Sequence, residues 1–390
     1  MKNLIIILPL ALILCFMVGC QDKGAYVDRF MEDGVEVVMN LPVPQDELEN
    51  PILTQILSID TENDELVNYG LNDIWGFDVN SVGEIFIFNP PQSGVASILK
   101  FNGSGEFILA FGKKGGGPGE IQFPIYQRIN PGDEVSVLDV ERRKLLVFDG
   151  NGSVLQESTL VDILSSTILL LPLPNGNYLS RKIEVDESPV SFSFVYLLLD
   201  SKFEELAELG RATLVNPATS PIKPTPIFQI GLSNKHIFVG LEERGYDIHV
   251  YDFEGLLIRR IRKEYTSVPF SEERKELIKK KYKRFPWAEG KIVFPTHNPP
   301  FQHFFADDMG RLYVVTFEPG KNQGELMTDV FDAEGVHCSR LSIKPFLNAD
   351  IFWTNGPYDE WVSVKNNILY CIQEKESGHK ELVAYEIKWH

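Results

Sequence analysis

Histidine, cysteine and carboxylate side chains are the groups through which this chain could do chemistry, and their spacing limits which chemistry. Metal-assisted hydrolysis or elimination needs several imidazole or carboxylate ligands converging on one ion. Seven histidines stand at 236, 249, 297, 303, 337, 379 and 390, and only His297 and His303 lie near enough to share a mouth. No third ligand announces itself beside them. The sequence contains no Gly-x-Ser-x-Gly elbow, no His-Glu-x-x-His and no Cys-x-x-Cys pair. Asp307-Asp308-Met309-Gly310 lacks the spaced acids and terminal Glu of a calcium loop and reads as a turn before Leu312. The glycines of Gly112-Lys113-Lys114-Gly115-Gly116-Gly117-Pro118-Gly119-Glu120 could aim backbone N–H groups at an anion, but neither Gly-Lys-Ser/Thr nor a helix start follows. The expectation is no catalytic residue, no metal and no cofactor.

The elements that must position any site are repeated. Glu84–Phe88 leads to Ile98–Phe101 and Asn102, a turn at Gly103 and Gly105, then Phe107–Phe111. The next copy runs Glu134–Leu138, Leu145–Phe148 with Asp149, a turn at Gly150 and Gly152, then Val154-Leu155. A looser third copy ends at Leu199-Asp200, and the fourth at Tyr251-Asp252 with Gly255. The fifth ends at Phe331-Asp332 with Gly335, and the last, from Ile368, ends at Tyr385-Glu386. These marks, at 101, 148, 199, 251, 331 and 385, are spaced by 47, 51, 52, 80 and 54 residues. Apolar alternation closed by Asn or Asp and Gly is a hairpin signature, because glycine supplies φ > 0 without steric cost. Six meanders of about fifty residues that cannot bury both faces alone predict an all-β, six-bladed propeller.

The 80-residue interval holds Ser271-Glu272-Glu273, an N-cap followed by first-turn acids, and then bases, which predicts one inserted helix near 271–284. The last copy leaves little chain for an outer strand. Gly34–Met39 is therefore expected to be an N-terminal strand that closes the last blade. Propellers place function where the segments before each first strand meet the central channel. The candidate ligand-binding residues there are Asp73, Trp75, Tyr126, Arg128, Gln302 and His303.

The Gly-rich segment ending in Gly117-Pro118-Gly119-Glu120, followed by Phe123-Pro124, resembles the blade connector of NHL-repeat propellers. More specifically, residues 33–390 are similar to the six-bladed β-propeller lipoproteins of the Bacteroidota. In broad fold terms the resemblance also reaches metal-dependent gluconolactonase-like hydrolases and NHL-type amidating lyases. What it implies is a propeller in which these glycines carry the chain from one blade's outer strand to the next blade's inner strand.

Leu4 to Val18 is apolar apart from Pro9 and Cys15. Fifteen residues of helix reach about 22 Å, short of the roughly 30 Å hydrocarbon core, so the segment reads as a signal peptide. Met17-Val18-Gly19-Cys20 resembles the lipobox of bacterial lipoproteins, which implies that Cys20 carries diacylglycerol and an amide-linked fatty acid. Two or three acyl chains hold a membrane firmly where one does not. The expected organisation is a signal peptide over 1–19, a tether over 20–32 and the propeller over 33–390. Cys338 and Cys371 could pair in an oxidising compartment or stay as separate buried thiols.

A net charge of −18 opposes the basic footprint that nucleic acid requires. One basic run, Arg274, Lys275, Lys279, Lys280, Lys281, Lys283 and Arg284, stands against it and reads as a solvated helix face. The sequence thus points to a membrane-anchored lipoprotein of the cell envelope, in the outer membrane and facing periplasm or surface. Its propeller is expected to bind a peptide, glycan or protein partner as a binding or scaffold module. The alternative is an extracytoplasmic lyase or hydrolase with its site at the channel mouth.

Overall fold

The repeat marks at 101, 148, 199, 251 and 331 each close a hairpin for a visible reason in the computed structural model, which describes residues 27–42, 51–90, 92, 94–160, 166–185, 191–215, 221–222, 228–283, 285–286, 289–344 and 361–389, while the mark at 385 lies inside the strand Lys380–Lys388. The Asn or Asp that follows the third strand of a blade accepts two backbone N–H groups of the turn. Asn102 takes those of Ser104 and Glu106 at 3.0 and 2.9 Å, and Asp149 those of Asn151 and Ser153 at 2.9 and 2.8 Å. Asp200, Asp252 and Asp332 repeat the arrangement. Glycine at φ near +85° completes the turn at 105, 152, 255 and 335, but in the third copy Phe203 takes the left-handed position at φ 67°. That substitution is why the third copy looks loose in sequence. Its ring packs on Tyr178 at 4.8 Å between centroids.

The described residues open with a hairpin, β1 (Val27–Glu32) and β2 (Val35–Asn40), followed by β3 (Ile52–Asp60) and a short helix α1 (Asp64–Asn68). Blade 1 is β4 (Gly76–Val79), β5 (Ile85–Phe88), β6 (Ala96–Phe101) and β7 (Phe107–Lys113); blade 2 is β8 (Pro124–Ile129), β9 (Val135–Asp139), β10 (Lys144–Phe148) and β11 (Val154–Thr159). Blade 3 is β12 (Thr167–Pro172), β13 (Tyr178–Val185), β14 (Ser191–Leu199) and β15 (Glu205–Val215); blade 4 is β16 (Phe228–Leu232), β17 (Ile237–Leu241), β18 (Asp247–Tyr251) and β19 (Leu257–Lys263). After the inserted helix α2 (Glu272–Tyr282), blade 5 is β20 (His303–Ala306), β21 (Leu312–Pro319), β22 (Leu326–Phe331) and β23 (His337–Ile343). Blade 6 is β24 (Val362–Lys365), β25 (Ile368–Glu374) and β26 (Lys380–Lys388), with β3 as its fourth strand.

The expected all-β, six-bladed propeller is therefore present, with closure by an N-terminal strand, but the closing strand is not the one expected. β3 pairs antiparallel with β26, Leu382 facing Ile59 and Lys388 facing Ile52. Lys375 reaches Asp60 at 2.7 Å, and Ser58 donates to Glu381 at 2.8 Å. The expected strand at 34–39 is β2, which instead runs parallel to β19 and widens blade 4 to six strands with β1. Charge pairing selects that place. Glu36 meets Arg259 at 2.8 Å, and Glu32 meets Arg260 and Arg262 at 2.6 and 2.7 Å. Asn40, wholly buried, donates to the Arg262 and Gly335 carbonyls and accepts the His337 N–H, so it bridges blades 4 and 5.

Of the tether expected over 20–32, residues 27–32 form β1, and residues 20–26 lie outside the described residues. The signal segment and Cys20 lie outside the described residues. The helix expected near 271–284 is α2, with the Ser271 hydroxyl accepting the Arg274 N–H at 3.2 Å. Between blades the apolar side chains pack as continuous layers. Phe77, Ile87, Leu99 and Ile59 pack against Tyr370 and Leu382 where the ring closes.

Candidate functional site

Because each blade starts at its innermost strand, the channel has an upper mouth where those strands begin and a lower mouth where they end. The loops joining one blade to the next lie on the upper face. Those loops position Asp73 and Trp75 before β4, Phe123 before β8 and Gln302 before β20.

At the upper face, Trp75 is 39% exposed, and its carbonyl accepts the Trp361 indole N–H at 3.0 Å. Asp73 accepts its neighbour Ile74 N–H at 2.8 Å and pairs with Lys380 at 3.0 Å. Lys380 also donates to the Ile74 carbonyl, so the loop around Trp75 is tied to blade 6. On the adjacent blade, Phe123 is 45% exposed. Its loop is fixed by Asp139, whose carboxylate accepts the Gln122 and Phe123 N–H groups at 2.5 and 3.2 Å. Phe123 was not among the expected residues, although its place in the connector motif marked it. Gln302 is spent on the fold, donating to the Thr316 carbonyl at 3.1 Å.

The other expected residues lie elsewhere. Tyr126 is buried in the core with Leu138 and Leu145. His303 is fully buried in β20, and burial alone pushes its pKa down to about 3, so it is neutral at neutral pH. His297 is exposed beyond the insert, its ring 3.0 Å from the Thr296 hydroxyl. Arg128 belongs to the lower mouth. The structure therefore joins Asp73 and Trp75 on one loop but does not bring the six candidates into one site, because an inner strand sends successive side chains in alternating directions and runs the depth of the channel.

The lower mouth is held by a carboxylate the sequence reading missed. Asp78, at the end of β4, is buried, with Arg128 of blade 2 at 3.5 Å and Lys365 of blade 6 at 3.4 Å. It also accepts the Ile129 N–H at 2.8 Å. Burial works to raise its pKa, yet Arg128 and Lys365 hold it below the usual carboxylate range. One acid thereby ties three blades. A second buried acid, Asp329 of β22, accepts from Tyr246 and Lys263 of blade 4 at 2.7 Å each and from Arg340 at 3.0 Å, with His337 at 3.3 Å. Desolvation opposes its charge, but His337, Lys263 and Arg340 keep its pKa far below normal. Its partners are up to 83 residues away, so no local pattern could have disclosed it.

The glycine-rich connector serves as the expected crossing from β7 to β8. Gly112 takes φ +71°, and a Cβ there would meet Ile121 at 2.7 Å. Glu120 fills the would-be anion cradle, accepting the Gly117 N–H at 2.6 Å. Asp307 likewise forms a turn, taking the Met309 and Arg311 N–H groups at 3.0 and 2.8 Å. Cys338 and Cys371 are free thiols, and burial pushes Cys371 up to about 12. Among the described residues no three His, Cys, Asp or Glu side chains are placed to hold one metal ion.

Residues 77–323, more than half the chain, match the family described as 6-bladed beta-propeller (DUF5128). The chain belongs to the 6-bladed beta-propeller family. It is similar in fold to a Bacteroides fragilis protein described as exported, with a TM-score of 0.51 at 14% identity over 90% of this chain and 99% of that one. A member of the DUF4221 family from Bacteroides vulgatus gives 0.49 at 11% identity, covering 89% and 100%. Virginiamycin B lyase from Staphylococcus aureus gives 0.41 at 10%, covering 86% and 99%. At such identities the likeness is one of fold. No curated protein matches the sequence.

Proposed function

We propose that this 6-bladed beta-propeller is a membrane-anchored extracytoplasmic lipoprotein whose upper face is a binding or scaffold module for a peptide, glycan or protein partner. The observation that carries the reading is the pair of exposed aromatic rings, Trp75 and Phe123, on adjacent blades. Both loops are pinned, by Trp361 and Lys380 on one side and by Asp139 on the other. Rigid aromatics with polar neighbours bind sugars or peptide side chains at little cost in conformational entropy. The charged groups of the lower mouth, in contrast, are occupied with one another across three blades.

Glycan and peptide arrays probed with the wild type and with a Trp75→Ala, Phe123→Ala double variant test this. The expected result is a bound class whose affinity falls at least tenfold in the double variant while the melting temperature is unchanged. Undiminished binding by the double variant would overturn the assignment of the upper face.

A further inference from the structure

Two independent features meet at the upper end of blade 4. The first is where the described chain begins. Val27 pairs with Asn40, and Asn40 pairs with Lys263, the last residue of β19, so the chain from the N-terminus joins the propeller at the upper corner of this blade's outer edge. Helix α2 starts nine residues after Lys263. It is held at the upper face: Ile278 and Tyr282 are buried with Ile222 and Phe270, and the Arg274 guanidinium lies 4.5 Å from the Phe317 ring near the upper end of β21. Seven Cα steps separate Cys20 from Val27, a reach of about 25 Å when fully extended. A lipid on Cys20 thus keeps this corner of the molecule next to the bilayer.

The second feature is charge. A chain of net charge −18 is repelled by an anionic bilayer unless it turns a basic surface to it. Helix α2 supplies that surface. Ile278 and Tyr282 are buried in the apolar cluster with Phe270 and Phe294, while Lys279, Lys280 and Lys283 are exposed, Lys279 at the edge of that cluster over the Phe294 ring. Lys279 shares Glu276 at 2.7 Å, whereas Lys280 and Lys283 pair with no carboxylate among the described residues. Leu277, 45% exposed, and Val293, 56% exposed, add apolar surface.

We infer that α2 is a membrane-facing foot, its Lys279, Lys280 and Lys283 resting on anionic phospholipid headgroups of the bilayer that holds Cys20. This rests on the reading of Cys20 as lipid-bearing. Blades 4 and 5 then tilt toward the membrane. Blades 1 and 2, which carry Trp75 and Phe123, stay open across the ring.

The test uses the full lipidated chain reconstituted into vesicles of phosphatidylglycerol and phosphatidylcholine containing a headgroup-nitroxide lipid. A fluorophore is placed at Lys280→Cys or at Val82→Cys, the latter 75% exposed in the lower turn of blade 1. The chain with only Cys338 and Cys371 after the lipidation site serves as the labelling blank. The inference expects at least threefold stronger quenching at 280 than at 82. That difference should vanish in pure phosphatidylcholine and in a variant with Lys279→Glu and Lys283→Glu, while the protein still floats with the vesicles. Flotation with equal quenching at both positions overturns the foot alone. Failure to float in every vesicle overturns the anchor, and the foot with it.

Discussion

Two buried groups of blade 5 respond to acid in different windows. His303 is neutral inside β20 because burial disfavours its cation, with a folded pKa of about 3. The unfolded chain takes up that proton near pH 6.5, so between 6.5 and about 3 the unfolded state binds more protons and stability falls as pH falls. The slope is up to about 1.4 kcal/mol per pH unit for one histidine. His249, lowered to about 4 by burial and the nearby Arg244, adds to it over a narrower window. Asp329 has the opposite chemistry but the same direction: its depressed pKa stabilises the fold above the unfolded carboxylate value and is lost only in stronger acid. Urea unfolding from pH 6.5 to 4.5 should therefore show a shallower stability loss for His303→Gln, by about one proton's slope. Equal slopes in the two proteins would mean that His303 does not stay neutral in the fold.

At the scale of elements, closure and reinforcement are separate jobs given to neighbouring strands. β3 covers the edge of β26, and an uncovered edge would leave a nine-residue strand without its partner. The β1–β2 hairpin only widens blade 4, though Asn40 makes it a bridge to blade 5. Removing residues 27–42 should leave a cooperatively melting monomer with its melting temperature lowered by several degrees. Removal of the additional residues through Asp60 should abolish cooperative melting or yield oligomers, read by calorimetry and size-exclusion chromatography. Should the shorter deletion prove as damaging as the longer, the hairpin would share the closing role. The sequence reading expected closure from the N-terminus but placed it on 34–39, whose compact Val-Glu-Val-Val run is the clearer strand signal. In Ile52–Asp60 only Ile59 is buried, with Leu53 and Leu57 packed partly against the core, while most side chains stay exposed, so alternation there is faint.

For the whole molecule, a net charge of −18 opposes contact with an anionic membrane, so the proposed lipid on Cys20 is what would hold the propeller there. Cys20→Ala should move the protein from the membrane to the soluble fraction of the envelope, and tight membrane association of that variant would refute lipidation at Cys20. Sequence alone determined the all-β class, the six blades and the inserted helix. Those signals are local, an Asn or Asp that caps a turn, a glycine at φ > 0, a serine at a helix start, and each acts within a few residues. Tertiary structure alone decided which strand closes the ring, which acids join blades, and which candidates share a mouth. Asp78 finds Arg128 and Lys365, and Asp329 finds Tyr246 and Lys263, only after the ring has formed. His303, expected as a ligand-binding residue, is instead a neutral core residue, since the cost of desolvating a charge depends on neighbours that no linear pattern displays.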